Sequence, residues 1–147
     1  MKIEINRDDL VYAVAAVERA VSTKNTIPAL GGVLIAAEKE RICFRATDLE
    51  LAMECVVPGR VLEEGQVVTS GRRFSAIVRL LPEGDITLSG DDLHLELEYF
   101  GGHQALSCLP AEEFPLLPLA EGEIQGSIAV REFRRSVFRN EMKMIRW

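Results

Sequence analysis

Apolar and polar residues alternate at the start of the chain, and the alternation then gives way to a helical period. Residues 2–6 place Ile3 and Ile5 on one side, which predicts a short strand. From Asp8 to about Ser22, Leu10, Val14, Val17 and Val21 fall on one stripe with Ala13 and Ala20 beside them. That spacing predicts an amphipathic helix capped by Asn6 or Asp8, with Asp8, Tyr12, Ala15, Ala16 and Arg19 on the opposite face. A polar loop over residues 22–26, with Pro28 and Gly31 at its exit, leads into β structure. Strands are expected at 32–37 and 41–46, joined by a hairpin turn at Glu38-Lys39-Glu40, then at 50–57 and 66–69. A second helix fits 72–81, stopped by Pro82 and the Glu83-Gly84-Asp85 turn. Strands follow at 86–89, 93–99 and 103–109. In the second of these, Leu93, Leu95, Leu97 and Tyr99 alternate with His94, Glu96 and Glu98, the pattern of a half-buried strand.

Pro110, Pro115 and Pro118 mark an extended connector up to Gly122, after which the opening pattern restarts. At an offset of 123 positions, Ile5 recurs as Ile128, Leu10 as Phe133, Val14 as Val137 and Val21 as Met144. A strand leading into an amphipathic helix therefore appears twice. The expected division is a first domain over 1–122 and the truncated start of a second module over 123–147. The second module's Phe133, Val137 and Phe138 lack a core of their own, so 124–147 is expected to be loosely held.

The 147 residues, 48% hydrophobic and 27% charged, have ordinary globular composition and suffice for one domain with a real core. No stretch approaches the ~18 apolar residues of a membrane helix, and the N-terminus lacks the apolar centre of a signal peptide, so a cytosolic protein without membrane partners is expected. Cys43, Cys55 and Cys108 are too few and too scattered for a disulfide framework or a zinc site, and read as reduced core thiols on strands. The net charge of −6 is unevenly spread: residues 1–123 hold 11 Lys and Arg against 21 Asp and Glu, and residues 124–147 hold 6 against 2. An acidic body argues against a protein that coats itself in nucleic acid, but permits one local basic face.

Two helix faces are candidates for that role. On the second helix, Phe74, Ile77, Val78 and Leu81 form the apolar stripe, while Arg72, Ser75, Ala76 and Arg79 share the other face. Arginines separated by small residues can track a phosphate backbone without reading bases; they also read as an ordinary solvated face. In the expected third helix, Arg131, Arg135 and Arg139 recur every four residues with Arg134 adjacent. Catalytic chemistry finds no support. Asp48 and Glu50 read as a turn and a strand residue. Neither His94 nor His103 has a partner spaced for a metal. The sequence holds no nucleophile elbow, no glycine-rich phosphate loop and no redox cysteine pair. No catalytic residue, metal or cofactor is expected.

Several segments, taken in order, resemble the N-terminal part of the bacterial sliding clamps, the DNA polymerase III beta subunit family. They are Met1-Lys2-Ile3, Thr26-Ile27-Pro28-Ala29-Leu30-Gly31, Thr47-Asp48-Leu49-Glu50, Arg72-Arg73-Phe74, Leu80-Leu81-Pro82-Glu83-Gly84 and Leu109-Pro110-Ala111-Glu112-Glu113-Phe114-Pro115. The likeness runs over about residues 1–139. It implies an α+β DNA-clamp module, two helices packed on antiparallel sheet. Three such modules make a chain, and two chains make a ring whose helices line the pore. The implied function is a non-catalytic processivity factor that holds double-stranded DNA nonspecifically. By the same resemblance, Lys24 matches a loop residue that approaches DNA, and Arg72, Arg73 and Arg79 match a helix facing the pore or its subunit junction. Arg131 and Arg135 join them as candidate DNA contacts from their own charge pattern. The strand His103-Gln104-Ala105-Leu106 matches the edge that pairs with the third module of the other chain. Gln104 stands where an apolar residue is common, which puts the strength of that junction in question.

Length separates this chain from that pattern. It holds one module and the start of another, and after Arg139 the tail Asn140-Glu141-Met142-Lys143-Met144-Ile145-Arg146-Trp147 reads as a truncation or a shifted reading frame. The family's pocket for polymerase and clamp-loader peptides lies between the second and third modules, so those partners are expected only through missing domains. The competing expectation is a fragment that binds no DNA and pairs with a full-length clamp through its edge strand.

Overall fold

The computed structural model describes residues 1–23 and 27–116, together with the backbone of 141–146. Strand β1 (Lys2–Asn6) runs into helix α1 (Arg7–Val17), where Asn6 supplies the cap: its side-chain oxygen accepts from the Asp8 amide at 3.0 Å. Asp8 and Asp9 occupy the first turn, favoured by the positive end of the helix dipole. Leu10, Ala13, Val14 and Val17 are buried, as the period predicts. The helix ends sooner than expected, tightening into a 3₁₀ turn over Glu18–Ala20. Strands β2 (Gly32–Glu38), β3 (Arg41–Thr47) and β4 (Leu51–Val57) follow as a meander. Next come β5 (Arg60–Glu63), β6 (Gly65–Ser70), helix α2 (Gly71–Val78), β7 (Asp85–Gly90), β8 (His94–Tyr99) and β9 (Gly102–Leu109). The last described element is β10 (Glu141–Arg146).

Among the described residues all strand pairings are antiparallel, and the order across the sheet is β10-β4-β3-β2-β6-β9-β8-β7-β1-β5. With α1 and α2 packed on this sheet, the fold is the expected α+β arrangement. The order reveals a repeat inside residues 1–109. Strand, helix and three strands (β1-α1-β2-β3-β4) recur as β6-α2-β7-β8-β9, and the two copies exchange their first strands: β1 pairs with β7, and β6 pairs with β2. Positions 64 apart fill matching places, Leu10 with Phe74, Val14 with Val78 and Val17 with Leu81, and all six are buried. Sequence comparison at the longer offset misses this repeat because the connections differ. Between helix and next strand lie residues 18–31 in the first copy and only 79–84 in the second.

Helices and sheet enclose one main core that includes Phe44, Phe74, Ile3, Ile5, Leu88 and Leu97. A smaller cluster forms on the opposite sheet face, where Leu34 and Val68 are covered by Phe114. The Leu109-to-Pro115 segment thus returns the chain over the outer face, and β2 becomes buried on both sides. Gly59 lies where the chain crosses between sheet halves. A Cβ there would sit 2.8 Å from the Glu4 carbonyl oxygen and 2.2 Å from Ile42 Cδ1, so only glycine fits without a shift.

Several expectations need correction. Strand β5 has no counterpart in the sequence pattern, because its four residues alternate too briefly to stand out. Leu93 is not on the buried face of β8 but 61% exposed. The Asp91 carboxylate accepts from the Leu93 and His94 amides, both at 2.8 Å, which places Leu93 in the turn before the strand begins. Glu50 belongs to the β3–β4 turn rather than to a strand. The helix expected to reach Met144 does not: residues 141–146 are strand, consistent with Met142 and Met144 alternating with Glu141 and Lys143. Residues 117–140, and with them the domain division at 122 and the expected loose third helix, lie outside the described residues. The cysteines are as expected: all three are free, buried and on strands, and burial pushes Cys43 up to about 12 and Cys55 and Cys108 to about 11.

The turn between β3 and β4 holds a leucine in the left-handed region, Leu49 at φ 76°. It is fixed by Thr47 Oγ1, which accepts from the Leu49 amide at 3.0 Å, and by the Asp48 carboxylate, which accepts from Glu50 and Leu51 at 2.9 and 2.8 Å. A bulky residue in this region costs about 1–2 kcal/mol, against the ~0.5–1 kcal/mol of extra chain entropy that glycine loses on folding. Leu49→Gly is therefore expected to leave stability unchanged or raise it by up to about 1 kcal/mol, read as the midpoint of urea unfolding. A clear drop would mean that the leucine side chain contributes packing that outweighs the strain.

Candidate nucleic-acid interface

α1 and α2 pack against each other, and their outward sides make one surface. From α2 come Arg72, Arg73, Ala76 and Arg79, all exposed; from α1 and its 3₁₀ extension come Asp8, Ala15 and Arg19. Phe74 and Val78 hold α2 to the core. Ser75 departs from its expected place on the basic face. It is 5% exposed, and its hydroxyl donates to Glu18 Oε2. The other carboxylate oxygen of Glu18 accepts from Arg79 Nη2 at 2.5 Å. Glu18 therefore ties α1 to α2 and offsets Arg79. Periodicity could not have singled it out, because its partners lie 57 and 61 residues away in sequence.

Arg72 and Arg73 are different. Among the described residues neither has a hydrogen bond or ion pair. They stand in the first turn of α2, which contains no acidic residue, and the Ser70 side chain makes no capping bond there. Backbone N–H groups at a helix start carry partial positive charge, so cations there are disfavoured by roughly 0.3–1 kcal/mol each. α1 satisfies that rule with two aspartates, whereas α2 violates it with two arginines. An anion at this turn would meet two guanidinium groups and the exposed end of the helix together. Lys24, Arg131 and Arg135 lie outside the described residues.

The second candidate surface is β9. His103, Gln104 and Ala105 are exposed, whereas Leu106 is buried and contributes its backbone rather than its side chain to any edge contact. On one side β9 pairs with β8 from Gly102 to Ser107. On the other it meets β6 only at Cys108 and Leu109, with the Ser107 carbonyl accepting from Thr69 Oγ1 at 3.4 Å, so that among the described residues 102–107 have no strand partner on that side. Among the described residues no three histidine, cysteine or carboxylate groups gather as a metal site, and no helix is long and apolar enough to cross a membrane.

Comparison with known proteins agrees with this geometry. The family model for the DNA polymerase III beta subunit, N-terminal domain, matches residues 1–118. A beta sliding clamp of Streptomyces coelicolor is 33% identical over 131 residues, covering 87% of this chain and 35% of the relative. One from Caulobacter vibrioides is 38% identical over 122 residues, covering 80% and 32%. The solved structure of the DNA polymerase sliding clamp from Caulobacter crescentus superimposes with a TM-score of 0.76 at 35% identity, over 82% of this chain and 34% of that one. This chain thus spans about a third of the length of the relatives it matches. With the sheet order, the helix pair and the sequence match in agreement over the first 118 residues, the chain belongs to the DNA polymerase III beta subunit family and carries that family's N-terminal domain.

Proposed function

We propose that the chain is a non-catalytic, cytoplasmic clamp module for DNA replication, which lies against double-stranded DNA through the outward side of α1 and α2 as part of a ring. The observation that carries this reading is the pair of arginines, Arg72 and Arg73, unpartnered among the described residues and set in a helix turn where their charge is otherwise disfavoured. Such contacts hold phosphates without reading bases, which is what a sliding protein needs. The open β9 edge, with His103, Gln104, Ala105 and Leu106, is the junction where a neighbouring clamp module adds its strand. Lys24, Arg131 and Arg135 are further proposed phosphate contacts.

Anisotropy of a labelled duplex tests the reading. Binding should be weak, indifferent to sequence, and should fall steeply between about 50 and 200 mM salt. Binding that is tight and unmoved by salt would sink it. The alternative, a fragment that pairs with a full-length clamp and touches no DNA, predicts no duplex binding at any salt concentration. Glu18→Gln adds a gain-of-function test. It frees Arg79 for phosphate, and should steepen the logarithmic salt dependence by about one unit at a stability cost under about 1 kcal/mol. An unchanged slope would remove Arg79 from the contact set.

A further inference from the structure

The two repeats end on β4 and β9, and these strands meet different fates. Along β4 lies Glu141–Arg146, antiparallel and in continuous register from Glu141 opposite Val56 to Arg146 opposite Leu51. Along β9, residues 102–107 have no strand partner among the described residues on the side away from β8. The lengths correspond: β4 offers the run from Leu51 to Val56, six positions, and the open part of β9 is also six residues long. Neither strand carries the free charges that keep edges apart. Residues 102–107 contain no Asp, Glu, Lys or Arg, and the one charged residue of β4, Glu54, is bonded to Arg45 at 2.6 Å. The sequence of β10 is of the opposite kind, with Glu141, Lys143 and Arg146 in six residues, the sort of charge that natural edge strands use against further addition.

We propose that Glu141–Arg146 is a guard strand. It occupies in cis the β4 edge that would otherwise accept the open β9 edge of a second copy of this chain. Without the guard, each molecule has two unlike and complementary edges. That contact is heterologous, so it continues from copy to copy instead of stopping at a pair. With the guard in place, the outer edges of the described sheet are the charged β10 and the four-residue β5, β9 has no β4 edge to join, and the module is held out of self-assembly. The inference concerns strand edges alone and stands or falls independently of DNA contact.

The test uses two full-length variants, Met142→Pro and Lys143→Pro. Successive N–H groups on an edge strand point alternately toward and away from the neighbour, so one proline removes a β4 ladder bond and the other serves as its control. Thermal unfolding checks that the first module stays folded in both. Light scattering should give the wild type and the control the mass of one chain, while the disrupting variant should grow in mass with concentration. Hydrogen exchange should show alternate β4 amides losing protection in dilute solution, and amides 102–107 gaining it in the assembled form. The proposal is overturned if the variant frees the β4 amides yet keeps the mass of one chain. It is equally overturned if wild-type β4 exchanges as fast as the variant, or if assembly leaves amides 102–107 unprotected.

Discussion

Phe74→Ala should destabilise the protein by about 3–5 kcal/mol, a large part of the ~5–15 kcal/mol that holds a domain of this size together. Phe74 is fully buried and is one of the largest side chains in the core. It is also the chief anchor of an eight-residue helix, too short to persist in water unless packed. Losing the ring leaves a cavity where α2, α1 and the sheet meet, and loosens the element that carries Arg72 and Arg73. Urea unfolding followed by circular dichroism should show the midpoint falling sharply with little change in slope. Phe100→Ala is the matched control. Phe100 is 93% exposed at the β8–β9 hairpin, so its removal should change stability by less than about 0.5 kcal/mol. Equal effects at the two sites would contradict the packing described for α2.

The double substitution Arg72→Glu with Arg73→Glu should move binding and stability in opposite directions. Duplex affinity should fall at least tenfold at low salt, and the salt slope should flatten by roughly two units, because two phosphate contacts are lost and two repulsive charges are gained. Stability should hold or rise, by about 0.3–1 kcal/mol per site, because glutamates in the first turn of α2 suit the helix dipole that the arginines oppose. Anisotropy and thermal unfolding on the same preparation read both effects. A variant that loses stability along with binding would place the arginines in the fold's own support; one that binds duplex normally would remove them from the interface.

Much of this architecture was legible because its signals are local. The period-two run through Leu95 and Leu97 and the helical stripe through Leu10, Val14 and Val17 are visible without tertiary information, and each is buried as expected. What depended on distant partners was not legible. Ser75 lies on the basic face by angle alone, but Glu18 draws it inward across 57 residues. Arg79 looks free until the same carboxylate is found beside it. Leu93 continues an apolar alternation, yet the Asp91 side chain claims its amide and the strand starts one residue later, at His94. The exchange of first strands between the two halves left no mark on the sequence at all. Arg72 stands out in the sequence from the helical period and Arg73 from the resemblance. Their meaning comes from the helix start they occupy, which only the structure supplies.

That exchange sets a schedule for synthesis. The amino group of Met1 donates to the Gly90 carbonyl at 3.1 Å, the Gly90 amide donates back to Met1 at 2.9 Å, and β1 pairs with β7 along its whole length. A nascent chain therefore carries its first strand out of the ribosome without a β7 partner and cannot complete that pairing until residue 90 has emerged. At about 5–20 residues per second, Ile3 and Ile5 stay without that partner for seconds. The first strand of this sheet therefore waits for its second partner, with β5 (Arg60–Glu63) the neighbour that can reach it sooner.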